Sequence, residues 1–212
     1  MVAPEAVQIM HFTHVSHLNA IASTGLLSDS AAQGTPSFKV EVGNVDIKEQ
    51  RRRRAVPVAP GGMVADYAPF YFAPRSPMMY AIFKNNVRTY QGTCDELVYL
   101  VSTVGRVLDL GLRAAFTDRN AVLQVARFSA SVTDLASLVD WPLMQATYWN
   151  NTPEEPDRRE RRMAECLVHG RVPWSAFDSV VASNQMCARQ AAAAIAATGA
   201  ATPVFVTPAW YF

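Results

Sequence analysis

"DYAPFYFAPRSPMMYAIF", residues 66 to 83, crowds aromatic side chains between prolines, and Pro69, Pro74 and Pro77 together forbid a continuous helix through Phe72. The block must break into pieces. Its spacing predicts a short strand from Phe70 to Ala73, then a helix opening at Ser76 with Pro77 at its first position, where a missing N–H costs nothing.

The rest of the chain is interrupted in the same way. "ELVYLVST" is the clearest strand, "ECLVHG" and "DSVVAS" read as two more, and "PVFVTPAWYF" ends the chain as another. Residues 7 to 14 read as a first strand. Ser16 then serves as N-cap for a helix that places Leu18, Ile21 and Ala22 on one face and closes at Gly25. "CARQAAAAIAAT" is an alanine-rich helix. From Leu27 to Pro60 the pattern fails: Gly34, Pro36, Gly43 and a basic run give a long connection with at most a turn or two of helix. Such a connection inside a compact domain points to function or disorder. "SVTDLASLVDWPLMQATYWNNTPEEPDRRERR" mixes a helical segment with a polar, proline-broken stretch. Strands and helices interleave too irregularly for evenly spaced βαβ units, so the expectation is α+β rather than a doubly wound sheet. Half of the 212 residues are hydrophobic, enough for a sizeable core, and a single domain over residues 1–212 is expected.

The formal net charge is +1, so attraction to nucleic acid must come from local clusters, "KEQRRRR" (Lys48 to Arg54) and "DRRERR" (Asp157 to Arg162). Cys94, Cys166 and Cys187 are odd in number and lack C-x-x-C spacing, which argues against a disulfide framework or a zinc site and for a reducing compartment. No metal is expected. The N-terminal stretch lacks the charged start and apolar run of a signal peptide, and no segment is long enough to cross a bilayer, so the expectation is a soluble cytoplasmic protein.

None of the usual phosphate or hydrolase signatures is present: no G-x-G-x-x-G after a strand, no Walker lysine motif, no H-E-x-x-H and no G-x-S-x-G. Attention falls on "HFTHVSHLNAIASTGLL", where His11 and Thr13 share one face of the first strand. A histidine there is either a core-edge ring bonded to a carbonyl or a ligand contact. In "AECLVHG", alternation puts Ala164, Cys166 and Val168 on one face and Glu165, Leu167 and His169 on the other. Both faces are largely apolar. A carboxylate on such a strand is either paired with a cation or used for chemistry. The run from Arg51 to Arg54 is a solvated helix face or a nucleic-acid contact, and four consecutive arginines cannot all point one way. On a helix Arg51 and Arg54 are neighbours, so one can enter a cleft while another meets phosphate. "WNNTPEEPDRRERR" couples Tyr148 and Trp149 to a second basic cluster, as stacking on an unpaired base requires; an ordinary surface loop with its aromatics folded inward is the alternative.

Taken in order, "HFTHVSHLNAIASTGLL", "IKEQRRRRAVP", "PGGMVADYAPFYFAPRSPMMYAIF", "FTDRNAVL" and "RRMAECLVHGRVPW" resemble the DarT family, the toxin half of the DarT–DarG toxin–antitoxin pair. The resemblance implies an NAD+-dependent mono-ADP-ribosyltransferase that modifies a base, thymidine in the best-known branch, in single-stranded DNA. It implies an ADP-ribosyltransferase fold, with a split central mixed or antiparallel β-sheet whose cleft holds NAD+ as co-substrate. It further implies a DarG-like macrodomain antitoxin as partner; a monomer is expected. In its terms His11, Thr13, Asn19, Arg51, Tyr71 and Met78 are NAD+ contacts, Glu165 and Arg51 are catalytic, and Arg75, Tyr148, Trp149 and Arg158 are DNA contacts. Two departures stand out. Asn120 occupies a position where some relatives carry histidine; and the "QRRRR" run leaves the register at Arg51 open by one residue, while Glu160 competes with Glu165, although the strand context favours Glu165.

The chemistry implied is electrostatic. Breaking the bond between nicotinamide and ribose leaves positive charge on the sugar, which a carboxylate near its hydroxyls stabilises, and Glu165 fits that role. The same carboxylate can take the proton of thymine N3 while Arg51 steadies the resulting anion. Two alternatives remain open: the same transfer to guanine, RNA or protein, and a single-strand-binding module whose cleft no longer turns over.

Overall fold

The computed structural model describes residues 3–33 and 40–212; Gly34 and Pro36 lie outside them. The strands are β1 (Gln8–His14), β2 (Leu26–Leu27), β3 (Tyr67–Tyr71), β4 (Leu97–Thr103), β5 (Ala114–Thr117), β6 (Phe128–Ser129), β7 (Glu165–His169), β8 (Arg171–Val172), β9 (Ser179–Ala182) and β10 (Val204–Val206). The helices are α1 (Leu18–Thr24), α2 (Asp29–Ala32), α3 (Val45–Arg53), α4 (Pro77–Phe83), α5 (Val104–Asp109), α6 (Leu135–Leu138), α7 (Trp141–Gln145), α8 (Arg158–Arg161) and α9 (Gln185–Ala196).

Eight strands form one sheet in the order β10-β9-β4-β1-β3-β7-β5-β6, and β2 and β8 make a separate pair. Among the described residues β9 and β10 are the one parallel pair of this sheet and its other pairings are antiparallel, which makes the sheet mixed and the fold α+β. The central strand β4 shows why both faces are covered. Val98 and Leu100 enter one core with Leu18, Ile21 and Phe70, while Leu97, Tyr99 and Val101 enter a second with Met79, Ile82 and Tyr211.

The sheet is split at its middle. β1 pairs with β4 along its whole length, from Gln8 opposite Thr103 to His14 opposite Leu97. On its other side it meets β3 at one position, Met10 opposite Tyr71. Beyond that point the two strands part, and Pro69 sits in the parted stretch of β3 with no N–H to give a ladder.

Several local expectations shift. β3 begins at Tyr67 rather than Phe70, because β7 supplies a partner from Tyr67 opposite His169 to Tyr71 opposite Glu165, and Pro69 is tolerated where β1 has already left. Ser16 does not cap α1: a 3-10 turn over Val15–His17, capped by the His14 side chain, pushes the start of the helix to Leu18. Gly25 ends α1 with φ of 89°, a conformation that favours glycine. The long connection holds more helix than expected. Asn44 Oδ1 accepts from the N–H groups of Asp46 and Ile47 and starts nine residues of α3, which Glu49 supports by pairing with Arg52 and Arg53. Ser76 and Pro77 open α4 as expected.

Candidate active site

The parted strands leave a cleft of about 260 Å³, lined by His11, Thr13, Arg51, Tyr71, Met78 and Glu165 among others. Its base is the start of β7. Alternation along β7 sends Cys166 and Val168 into the larger core and turns Glu165 and Leu167 to the opposite face, where Leu167 packs with Val64, Tyr67 and Ala121. Glu165 is 2% exposed.

Helix α3 brings the cation to it. Of the four consecutive arginines Arg51 alone is buried, at 7% exposure, and its Nη1 donates to Glu165 Oε1 at 2.9 Å. Its other terminal nitrogen reaches only the Val64 carbonyl at 3.5 Å. The second carboxylate oxygen, Glu165 Oε2, accepts the Ala121 N–H at 2.9 Å, and the Glu165 N–H donates to Thr117 Oγ1 at 3.0 Å. The carboxylate is therefore fixed from both oxygens, while four lone-pair sites leave each one able to accept again.

Across the split, His11 Nδ1 donates to the Pro69 carbonyl at 2.8 Å, so Nε2 is the acceptor nitrogen of a ring that lines the cleft. Burial, and then nearby Arg51, push the His11 ring down to about 4, although the Pro69 bond opposes the shift. His11 is thus neutral at pH 7. His17 Nε2 accepts the Val40 N–H at 3.3 Å, which makes Nδ1 the donor to Thr13 Oγ1 at 3.0 Å. Burial also depresses His17 to about 4. Tyr71 shows the opposite sign: burial, and then the Glu165 charge, raise its phenol, so it remains a hydrogen-bond donor.

The other expected site residues divide. Met78, at the start of α4, lines the cleft. Asn19 does not: it is exposed on α1 and outside the cleft lining, because the helix turns its buried face, Leu18 and Ile21, toward the core. Trp149 is not a surface platform either. It is 5% exposed and packs edge-on against Tyr80 and Phe212 at 5.9 and 6.4 Å, so the inward-folded alternative holds for this ring. Its neighbour Tyr148 is 81% exposed. Arg158 holds that loop, donating to Glu155 Oε2 at 2.5 Å and to the Tyr148 carbonyl at 3.0 Å. Arg75 adopts φ of 54°, and its guanidinium lies 4.4 Å over the Phe212 ring. Arg54 caps α3 and turns outward to Gln124, away from Arg51. Glu160 lies in α8, outside the cleft lining, and Asn120 Oδ1 is occupied by the Val122 N–H.

Three contributors escaped the sequence reading. His17 supports Thr13, Lys48 bridges Asp29 and Glu41 at the cleft wall, and the Ala121 amide holds Glu165. For His17 a signal existed, since it stands four residues after Thr13 at the strand-to-helix junction. A backbone amide of an alanine carries none.

A mixed sheet that parts between two central strands over a buried carboxylate, with a neutral histidine on the facing strand, is the arrangement that the resemblance to ADP-ribosyltransferases implies, and the comparisons with known proteins place the chain in that class. The family model described as "ssDNA thymidine ADP-ribosyltransferase, DarT" matches residues 10–212, and the chain belongs to that family. A DNA ADP-ribosyl transferase of Thermus sp. (strain 2.9) is 40% identical over 182 residues, covering 86% of this chain and 84% of that protein. One from Mycobacterium tuberculosis is 34% identical over 208 residues, covering 96% and 88%. The solved Thermus sp. 2.9 DarT in complex with ADP-ribosylated ssDNA superposes with a TM-score of 0.91 at 35% identity, over 100% of this chain and 99% of that one. The same protein in complex with NAD+ gives 0.88 at 34% identity, with 100% of both chains covered.

Proposed function

We propose that the chain transfers ADP-ribose from NAD+ to a thymine base in single-stranded DNA, and that it does so as the toxin of a toxin–antitoxin pair. The observation that carries this reading is the carboxylate of Glu165, fixed in the cleft between the Arg51 guanidinium and the Ala121 N–H.

Each residue then has a physical task. His11 offers Nε2, and Thr13 its hydroxyl, to the sugar hydroxyls of NAD+; Tyr71 and Met78 supply apolar contact for the nicotinamide. As the glycosidic bond breaks, nicotinamide leaves with the bonding pair and the ribose carbon becomes electron-poor. A negative charge already held in place costs no reorganisation, and this is the main contribution of Glu165. Thymine N3 then bonds to that carbon and its proton passes to Glu165. Arg51, 2.9 Å from the carboxylate, stabilises negative charge on the base during the transfer. Tyr148 and Arg75 receive the flanking strand, and Arg158 holds the loop that carries Tyr148.

Thymine N3 is hidden in a Watson–Crick pair, so an unpaired strand is the substrate this geometry favours. The test incubates the protein with NAD+ and oligonucleotides of single composition, each single-stranded and annealed, and reads mass. One added ADP-ribose on the thymine single strand alone supports the reading, and Glu165→Gln abolishes it. Equal labelling of duplex, or labelling only of RNA or protein, overturns it. The same reading takes the chain to work as a monomer in the cytoplasm and to be neutralised there by a DarG-like macrodomain partner; separately, among the described residues no helix is long and apolar enough to cross a membrane.

A further inference from the structure

The Glu165 carboxylate depends on a segment that lies outside the cleft lining. Strand β5 ends at Thr117 and β6 begins at Phe128, and these two residues pair directly. The loop between them carries Ala121, whose N–H holds Glu165 Oε2. Thr117 Oγ1 accepts the Glu165 N–H and donates to the Arg119 carbonyl at 2.6 Å, tying the root of the loop to the root of β7. An amide at the tip of a ten-residue loop is a usable partner only when the loop has one shape.

Asp118 gives it that shape. It is 3% exposed, its Oδ1 accepts the Arg127 N–H at 2.9 Å, and its Oδ2 accepts from Arg127 Nε at 3.0 Å and from Arg119 Nε at 3.3 Å. The carboxylate therefore binds the two ends of the loop to each other. Arg119 continues outward, donating to Asp157 Oδ2 at 3.1 Å, and so fastens the loop to the Tyr148–Arg162 segment. Asp118 is absent from the cleft lining.

We infer that Asp118 is a positioning residue for Glu165: by closing the 118–127 loop it sets the Ala121 N–H and, through it, the direction of the catalytic carboxylate. The inference rests on the reading of Glu165 as catalytic. Asp118→Asn keeps the shape but turns an amide nitrogen against the guanidinium nitrogens, so the loop relaxes. Misplacement of a reacting group by about 1 Å can cost a hundredfold in rate, and a fall in kcat of about ten- to a hundredfold is expected, with KM for NAD+ unchanged. Arg127→Ala, whose side chain is 66% exposed, removes one partner and should lower kcat by a few-fold without loss of thermal stability.

The experiment measures kcat, KM for NAD+, the NAD+-induced rise in Tm, and Tm itself for Asp118→Asn, Arg127→Ala and Glu165→Gln. Leu135→Ala, a fully buried change in α6, serves as a destabilised control. A kcat loss in both loop variants, with KM and the NAD+-induced Tm rise retained and with kcat intact in Leu135→Ala, supports the inference. Wild-type kcat in Asp118→Asn overturns it, as does a kcat loss that Leu135→Ala reproduces at equal Tm. If Asp118→Asn does not fold, an unchanged kcat in Arg127→Ala overturns it. Should Glu165→Gln turn over normally, the reading of the site itself fails, a result distinct from any of these.

Discussion

Arg51 and Glu165 form an ion pair with almost no solvent on either side, and removing one member should cost stability as well as turnover. Arg51→Met replaces the guanidinium with an apolar chain that follows the same stem but stops short of Glu165, and leaves that carboxylate with the Ala121 N–H as its remaining hydrogen-bond donor. Breaking a buried pair from one side costs about 3–5 kcal/mol, because the surviving charge is desolvated without compensation. For a domain of this size each kcal/mol moves Tm by about 2–4 °C, so Tm should fall by roughly 6–20 °C. Adding Glu165→Gln removes the stranded charge, since the amide oxygen still accepts from Ala121. The double variant should recover more than half of the lost Tm while remaining without turnover. Thermal unfolding at pH 7 for the wild type, both single variants and the double variant gives the coupling directly. Additive losses in the double variant, or a Tm shift below about 2 °C in Arg51→Met, would refute the claim that the two charges hold each other in a dry site.

Four further outcomes are expected. His11 and His17 have folded-state values near 4, below the usual 6.5, so the unfolded chain binds more protons between those limits; stability is complete above pH 6.5 and declines toward pH 4, by up to about 1.4 kcal/mol per unit for each ring. Urea unfolding at pH 7, 6 and 5 should show this, and His17→Gln should flatten the slope. Tyr148→Ala should weaken single-strand binding by about 1–3 kcal/mol in a fluorescence titration, with Tm unchanged. Trp149→Ala should instead lower stability by about 3–5 kcal/mol, as for a buried aromatic. Oligonucleotide affinity should depend only weakly on salt, with a log–log slope near −2 for about three phosphates; a slope beyond −4 would show a phosphate track.

Periodicity carried the sequence reading where burial is decided by one strand at a time. The alternation in "AECLVHG" placed Glu165 opposite the larger core, and Ser76–Pro77 marked the start of α4 because a cap and a proline act within one turn. It failed where a distant partner decides. The span of β3 depends on where β7 runs, α1 yields its first turn to a cap from His14, and Trp149 is buried by Tyr80 and Phe212, nearly seventy residues away on one side and about sixty on the other. Arg51 was singled out by resemblance, since four identical side chains have no local feature that separates them. Its selection comes from the phase of α3 against β7.

That phase also explains how a chain with a net charge of +1 can carry two arginine clusters without a broadly basic face. Arg52 pairs with Glu49 and Asp29, and Arg53 pairs with Glu49. Arg158 pairs with Glu155, and Arg161 with Asp140, Glu155 and Asp157. Arg162 is buried and donates from its two terminal nitrogens to the carbonyls of Leu143, Met144 and Pro74. The clusters are thus largely internal fasteners: one fixes α3 over the cleft, the other fixes the loop that ends at β7. A phosphate backbone would have to displace a carboxylate to bind most of them, which favours a strand gripped at a few points and by its bases over a duplex held along its charge.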